Sequence, residues 1–539
     1  MILPPRPENH RRLDPARPRP RLDLAAALVP LPPRDYPHLD RFAGPPWDHR
    51  SPQRLAIDDD LPAGHLARAI DEMVDRLDLT DLFASYAGLG SKPYRPDLML
   101  KIVLYEMQTG RHSPGQWAED ARDRRYLLWL GRGIKPSRSR CYAFRDRVGA
   151  RLHDRNRQVL QGAVALGLTT ATSGSLDGTL IAADASRHRL LNLARLDRRL
   201  GELDRVISAD RADRDPGVIP GWMARHPATR RRQRHRFQEA RRALLKEHTR
   251  NARRPGDRRQ EPDKIVVSTG DPEAASGRDK EKVFRPLYNF QVVQDTASPL
   301  VLGYEVFAQA SDAGTLMPLR QRVYDLTGIW LKEVLADTGY ASALDLADCA
   351  RAGVELYAPY QENDWTERRR ARAPRRQIPK GGFTWRPEEQ VYVCPRGHRL
   401  ARISREARER ADGRTVGLTT YRCAKEHCRA CPLAPRCTSG AKGRTIKRDE
   451  HEELIEAHRA KMETPEAKAI YRKRSRTVEL RFADTKEHRD LRRFSGRGLE
   501  RVRIEAGLCV LAHNLLAVRA LCQRKAAEGP DGTPCEEAA

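Results

Sequence analysis

This chain lacks an apolar leader, a clean membrane-spanning run and the cysteine density of a disulfide-stapled protein. The first twelve residues, MILPPRPENHRR, hold no apolar core of the kind a secretory signal requires. The most apolar stretch, residues 504 to 522, carries Glu505, His513, Asn514 and Arg519, as a buried amphipathic helix would. Ten cysteines in 539 residues make no disulfide framework, because half of them crowd between Cys394 and Cys437. Acidic residues also fall short of basic ones, 73 against 100. Secreted and membrane-embedded classes are set aside, and a soluble cytoplasmic protein is expected.

What is present is positive charge. The formal net charge is +27 and the pI is near 10.0. A surplus of that size attracts polyanions, so nucleic acid is the expected partner, although an arginine-rich codon usage would leave the same mark. The length allows several domain-sized units.

Residues 1–60 are rich in proline and arginine and are expected to be a disordered extension. Residues 61–168 read as an all-helical domain. Leu66, Ile70, Met73, Val74 and Leu77 recur at helical spacing, Arg95-Pro96 opens another helix, and a long one is expected from Ser139 into Leu166. Its helix pairs fit helix-turn-helix DNA binding and a plain bundle equally. Residues 169–360 have the texture of an α/β core. SLDGTLIAADAS reads as a strand with a tight turn at Gly178, followed by a basic helical insert over 193–260. KIVVSTGD, PLYNFQVVQD and SPLVLGYEVFA then read as strands, a helix spans 314 to 326, and LKEVLADTGY, ALDLADCARAG and VELYAPY alternate strand, helix and strand. The insert is expected near DNA phosphates or as a solvated face. Residues 361–447 hold a basic loop, WTERRRARAPRR, and the cysteines; helices return over 448–525, with one expected through 465–486, and 526–539 is a frayed tail.

Cutting and joining phosphodiesters requires a nucleophilic oxygen to be activated and a leaving oxygen to be stabilised. Two hard divalent ions held by carboxylates do both. Asp177 follows a strand start, Asp337 ends the strand LKEVLAD, and carboxylates at strand ends of an α/β fold lie where ligands bind. Glu479 stands in YRKRSRTVELRFADTKEHRDLRRFSGRGLERV, where a continuous helix would place Arg472, Arg476 and Lys486 on its face. Taken singly, a turn residue, a cap and a salt-bridged helix explain the three as well.

The strings SLDGTLIAADAS, STGDPEA, PLYNFQVV, LADTGYAS and YRKRSRTVE…K…RRFSGRGLERV occur in this order. Together with YRPDLMLKIVLYEMQTGRHSPGQWAED and FRDR they resemble the DDE transposases of bacterial insertion sequences, over residues 61 to 520. The resemblance implies an RNase H-like mixed sheet flanked by helices, behind a helical N-terminal DNA-binding domain and with a small Cys-rich insertion. It implies Mg2+ or Mn2+ on Asp177, Asp337 and Glu479. The family's motif around the third acid falls on Tyr471, Arg474, Glu479 and Lys486, with Arg474 and Lys486 steadying phosphates. Four residues separate Arg474 from Glu479 where three are common, and Asp184 stands where many relatives carry Asn. The implied partners are double-stranded DNA, both terminal inverted repeats and target, and further copies of the chain on that DNA, in the nucleoid and away from membranes. Two rivals remain: an RNase H-like nuclease that cuts without joining, and a non-catalytic DNA-binding derivative.

Cys423, Cys428, Cys431 and Cys437 are separated by four, two and five residues, and the CxxC within them can chelate a structural zinc ion. Cys394 opens CPRGH, with His398 four residues on. Unliganded or redox-active thiols are the alternative. Cys141, Cys349, Cys509, Cys522 and Cys535 stand alone and read as packing or tail residues.

Overall fold

The computed structural model describes residues 36, 38–86, 90–254, 259–360, 378, 380–409, 414–438 and 440–527. Eight helices come first: α1 (Pro52–Asp60), α2 (Leu66–Val74), α3 (Thr80–Ala84), α4 (Pro96–Gln108), α5 (Pro114–Asp123), α6 (Arg125–Leu130), α7 (Arg138–Gly149) and α8 (Leu152–Ala165). Proline opens α1, α4 and α5, and Ser113 with Gln116 closes a capping box on α5. The helices form a bundle around α4, which is buried along its whole length. Even Lys101 is fully buried there, held by Asp71 at 2.6 Å and Asp75 at 2.7 Å, the partners a buried ammonium needs. The long helix expected from Ser139 is in fact α7 and α8, parted at Arg151 with non-helical φ −120° and ψ 4°.

The expected disordered extension ends earlier than position 60. Tyr36 stacks on Phe83 with centroids 4.0 Å apart, Phe42 is buried edge-on to the same ring, and the Trp47 N–H donates to Arg132 O at 3.0 Å. Isolated aromatics in a proline-rich stretch have found a folded surface. The rest of that extension, residues 1–35, lies outside the described residues, as do the basic loop and residues 528–539 of the tail.

The central sheet is built on β1 (Ser173–Ala182). It pairs antiparallel with β5 (Phe284–Asp295) on one side and parallel with β7 (Glu333–Leu335) on the other, beyond which β8 (Glu355–Tyr357) lies parallel to β7. The far edge of β5 carries β6 (Val301–Phe307) and β4 (Ala275–Arg278), both antiparallel. Helices α11 (Leu316–Thr327) and α12 (Ala343–Ala352) make the crossovers. Gly178 sits inside β1, paired with Gln291, so the tight turn expected there does not exist.

Between β1 and β4 the chain adds β2 (Leu190–Leu191), the helices α9 (Leu193–Arg211) and α10 (Pro227–Ala252), and β3 (Val267–Ser268). α9 and α10 pair through their own small core of Leu196, Leu203, Val206, Phe237 and Leu244. Arg230, Arg234 and Arg241 of α10 bond Asp210, Asp204 and Asp197 of α9, so these three guanidiniums hold the hairpin together instead of facing a phosphate.

The Cys-rich insertion is a five-stranded antiparallel meander: β9 (Thr384–Arg386), β10 (Val391–Val393), β11 (Arg399–Glu409), β12 (Thr415–Cys423) and β13 (Thr445–Asp449). Short helices α13 (Lys425–Arg429) and α14 (Ala434–Cys437) lie between β12 and β13. Then come α15 (Glu452–Glu463), α16 (Pro465–Arg472), α17 (Val478–Ala483) and α18 (Leu499–Ala527). α18 is long and apolar enough to cross a membrane, but 72% of its apolar window is buried in the fold. It packs against α2, α4, α7, α8 and β6, so bundle and sheet share one core.

Candidate active site

β1 and β7 run parallel with Ser175 level with Leu335, and Asp177 and Asp337 each stand two residues past that pair. Two aspartates distant in sequence therefore come off neighbouring strands at one level. Asp337 also accepts the Gly339 N–H at 2.7 Å, which fixes the turn after β7.

Glu479 arrives from the other side on α17. Val478 and Phe482 are buried one turn apart, and Phe482 meets Phe290 of β5 edge-on at 6.3 Å. These two apolar contacts seat the helix on β1 and β5 and leave Glu479 in its exposed first turn. The helix expected through 465–486 is broken. A 3-10 turn covers Lys473–Arg476, Thr477 has φ −115° and ψ −100°, and a π turn covers Asp484–His488. Glu479 therefore shares no continuous helical face with Arg472, Arg476 and Lys486; irregular turns of this kind collect at working sites.

The 3-10 turn carries Arg474 inward. Its Nη2 lies 2.8 Å from Asp177 Oδ2 and its Nη1 lies 2.7 Å from Glu479 Oε1, with the side chain 9% exposed. The extra residue between Arg474 and Glu479 is thus no obstacle to their pairing. Burial raises the Asp177 carboxyl, and Asp337 adds to that, while Arg474 pulls it back toward ionisation. Burial raises the Tyr471 phenol, which feels Arg474 and all three acids. The Lys486 ammonium donates to Leu180 O of β1 at 3.5 Å, and burial lowers it, with Lys280 and Arg492 adding to the effect.

Asp184 lies elsewhere, bonded to Arg497 at 2.9 Å. Among the described residues, no three His, Cys, Asp or Glu side chains stand ready to share a metal ion. The cation already among the acids is Arg474.

Sequence reasoning missed Asp312, Tyr340 and Lys280. Asp312 Oδ1 accepts from Asn289 and Gln291 at 2.7 Å each, and a Cβ on Gly178 would fall 2.7 Å from it. Tyr340 is fully buried, its hydroxyl has no partner, and it faces Asp312, Asp177 and Asp337. Lys280 is an exposed cation felt by both Asp177 and Lys486. The alternation along PLYNFQVV, which puts Asn289 and Gln291 on one face of β5, was the only available signal for Asp312. STGDPEA has a structural place: Asp271 accepts from Tyr288 OH at 2.8 Å and Gly498 N at 3.2 Å, and Glu273 accepts the Leu499 N–H at 2.7 Å. It caps the start of α18.

The expected zinc ligands Cys423, Cys428, Cys431 and Cys437 surround one cavity together with Cys394, His398 and His427. The five cysteines are free thiols, and burial with its thiol neighbours pushes Cys423 up to about 12. Cys141, Cys349, Cys509 and Cys522 are buried in the main fold, as packing residues should be. Cys535 lies outside the described residues.

Two family models match. Residues 393–518 match the family described as Transposase DDE domain, and residues 55–147 match Transposase domain (DUF772). Both matches support a DDE transposase of an insertion-sequence type. No curated protein and no solved structure matches it. The DDE-domain match takes in the last three strands of the cysteine meander, Glu479 and most of α18, and the N-terminal match runs from α1 into α7. The mixed sheet flanked by helices is an α/β RNase H-like arrangement behind a helical N-terminus.

Proposed function

We propose that this transposase cuts DNA at the ends of an insertion sequence and joins the freed ends to target DNA, using divalent ions held by Asp177, Asp337 and Glu479. The observation that carries the reading is the Arg474 guanidinium between Asp177 and Glu479, a cation bridging carboxylates from two separate elements. The donors are carboxylate oxygens, which suit Mg2+ or Mn2+. When bound, such ions supply activation of the attacking oxygen and stabilisation of the leaving one.

The chain's own residues do the rest. Arg474 pulls Asp177 toward ionisation against the pull of burial, and its planar fork can turn from carboxylate to phosphate oxygens. Lys486, at Leu180 of β1, and Lys280, close enough to influence it, supply two further cations for the DNA backbone. Val478 and Phe482 hold Glu479 over the sheet, and the Tyr471 phenol lies within electrostatic reach of Arg474. The +27 surplus draws in double-stranded DNA, both inverted repeat and target, and the paired ends would be held by more than one copy of the chain.

Oligonucleotides carrying the element's terminal repeats, incubated with the protein, Mg2+ and target DNA, test this. Cut ends covalently joined to target are expected. Cutting without joining would make the protein a nuclease, and binding without cutting would make it a non-catalytic derivative.

A further inference from the structure

We propose that the insertion holds one structural zinc ion on the thiolates of Cys394, Cys423, Cys428 and Cys437, with Cys431 outside the set. This replaces one ligand of the set expected from spacing, and it concerns a site separate from the three acids.

The meander is poorly supplied with core. Its buried apolar cluster consists of Phe383, Tyr392, Leu400, Tyr421, Cys423 and Ile446. A module with so small a core needs a staple, such as a metal. Cys394, Cys428 and Cys437 pack against that cluster beside the buried Cys423, and Cys431 does not.

Two arms present the sulfurs. The first is the turn between β10 and β11, CPRGH. Cys394 N–H donates to His398 O at 2.9 Å, Gly397 N–H donates to Cys394 O at 2.8 Å, and Gly397 has φ +80°. The left-handed glycine lets this tight knuckle close under Cys394. The second arm is the end of β12 with α13 and α14, which bring Cys423, Cys428 and Cys437. It is closed by Gly443, φ +93°, where a Cβ would fall 2.5 Å from Cys423 O and 3.5 Å from Cys428 Sγ. The Arg444 N–H then donates to Cys428 Sγ at 3.4 Å, the kind of bond that steadies a metal-bound thiolate. The stacked rings of His398 and His427, 4.3 Å apart, join the two arms at the rim.

Five sulfurs line the cavity, Cys431 among them, and the four that pack on the cluster are a soft donor set that selects zinc over Mg2+ or Mn2+. As they stand the sulfurs are not gathered closely enough to share an ion. Zinc, with Zn–S distances of about 2.3 Å, would draw them inward.

Zinc content of the full-length chain, purified without chelator, gives the first test. One ion per chain is expected for wild type and Cys431→Ser, with loss in Cys394→Ser and Cys428→Ser. Alkylation of the wild-type chain, mapped by mass spectrometry, covers the case in which a serine variant fails to fold. With zinc bound, Cys431 should be labelled while Cys394, Cys423, Cys428 and Cys437 are protected, and a chelator should expose all five. A wild-type chain that takes up no zinc when Zn2+ is supplied overturns the proposal. So does zinc that survives Cys394→Ser but not Cys431→Ser, or protection of Cys431 alongside an alkylated Cys394.

Discussion

The guanidinium of Arg474 lies 2.8 Å from the carboxylate of Asp177, joining the C-terminal half of the chain to the first strand of its sheet. The same guanidinium holds Glu479, so one side chain ties two of the three acids. It does so from a 3-10 turn that exists only because α16 and α17 are not one helix.

Arg474→Ala should lower DNA cleavage by about 10²- to 10³-fold, the usual loss when one preorganised charge donor is removed from a site. Arg474→Lys should not restore it, because a single ammonium cannot span Asp177 and Glu479 as the planar fork does. Single-turnover cleavage of an end-bearing duplex checks both variants. Full activity in the lysine variant would show that charge alone suffices.

Gly178 is a strand residue that leaves room for Asp312. Gly178→Ala would place a methyl 2.7 Å from Asp312 Oδ1 and 2.8 Å from Asn289 Oδ1, and should cost about 1–3 kcal/mol of stability. Gly201→Ala, on a helix with nothing within 4 Å of the new methyl, should instead stabilise by about 0.5–1 kcal/mol. Urea denaturation of the two variants compares them directly, and a stabilised Gly178→Ala would contradict the crowding seen around β1.

Glu505 is buried in α18 and accepts from Ser495 N, Ser495 Oγ and Gly496 N, and burial raises its carboxyl from 4.5 to about 7. A folded-state value above the unfolded one favours the protonated fold. The stability it contributes is full below pH 4.5 and is lost as pH rises through 7. Glu505→Gln should remove that part of the decline. Unfolding midpoints of both proteins from pH 4 to 8 test the sign; curves that stay parallel would show that Glu505 does not titrate in this range.

Much of the architecture was legible because it rests on periodicity and punctuation. Arg95-Pro96 marked α4, and the apolar run LKEVLAD marked β7 and the place of Asp337. What stayed hidden depends on contacts across the fold. A glycine after Asp177 is a turn signal locally, yet Asp312 and Asn289 require it inside a strand. Tyr36 and Phe42 have no periodic neighbours, and their order rests on contacts with residues distant in sequence such as Phe83. Residues 465–486 read as one helix because nothing in that stretch except Pro465 is a strong helix breaker. Its irregular turns follow from seating Val478 and Phe482 on the sheet while Arg474 reaches Asp177. Cys394 was left outside the candidate zinc set because spacing favoured the CxxC of Cys428 and Cys431, and only packing distinguishes the five thiols.

The central claim is that Asp177, Asp337 and Glu479 are one working site. The most direct test compares wild type with Asp177→Asn, Asp337→Asn, Glu479→Gln and the control Asp184→Asn in cleavage and joining of end-bearing DNA with Mg2+, with gel-shift binding measured alongside. The predicted result is that the first three neither cut nor join while binding DNA as wild type does, and that the control keeps its activity. Normal cleavage by any of the three, or loss of activity in Asp184→Asn with Asp177→Asn active, would contradict it.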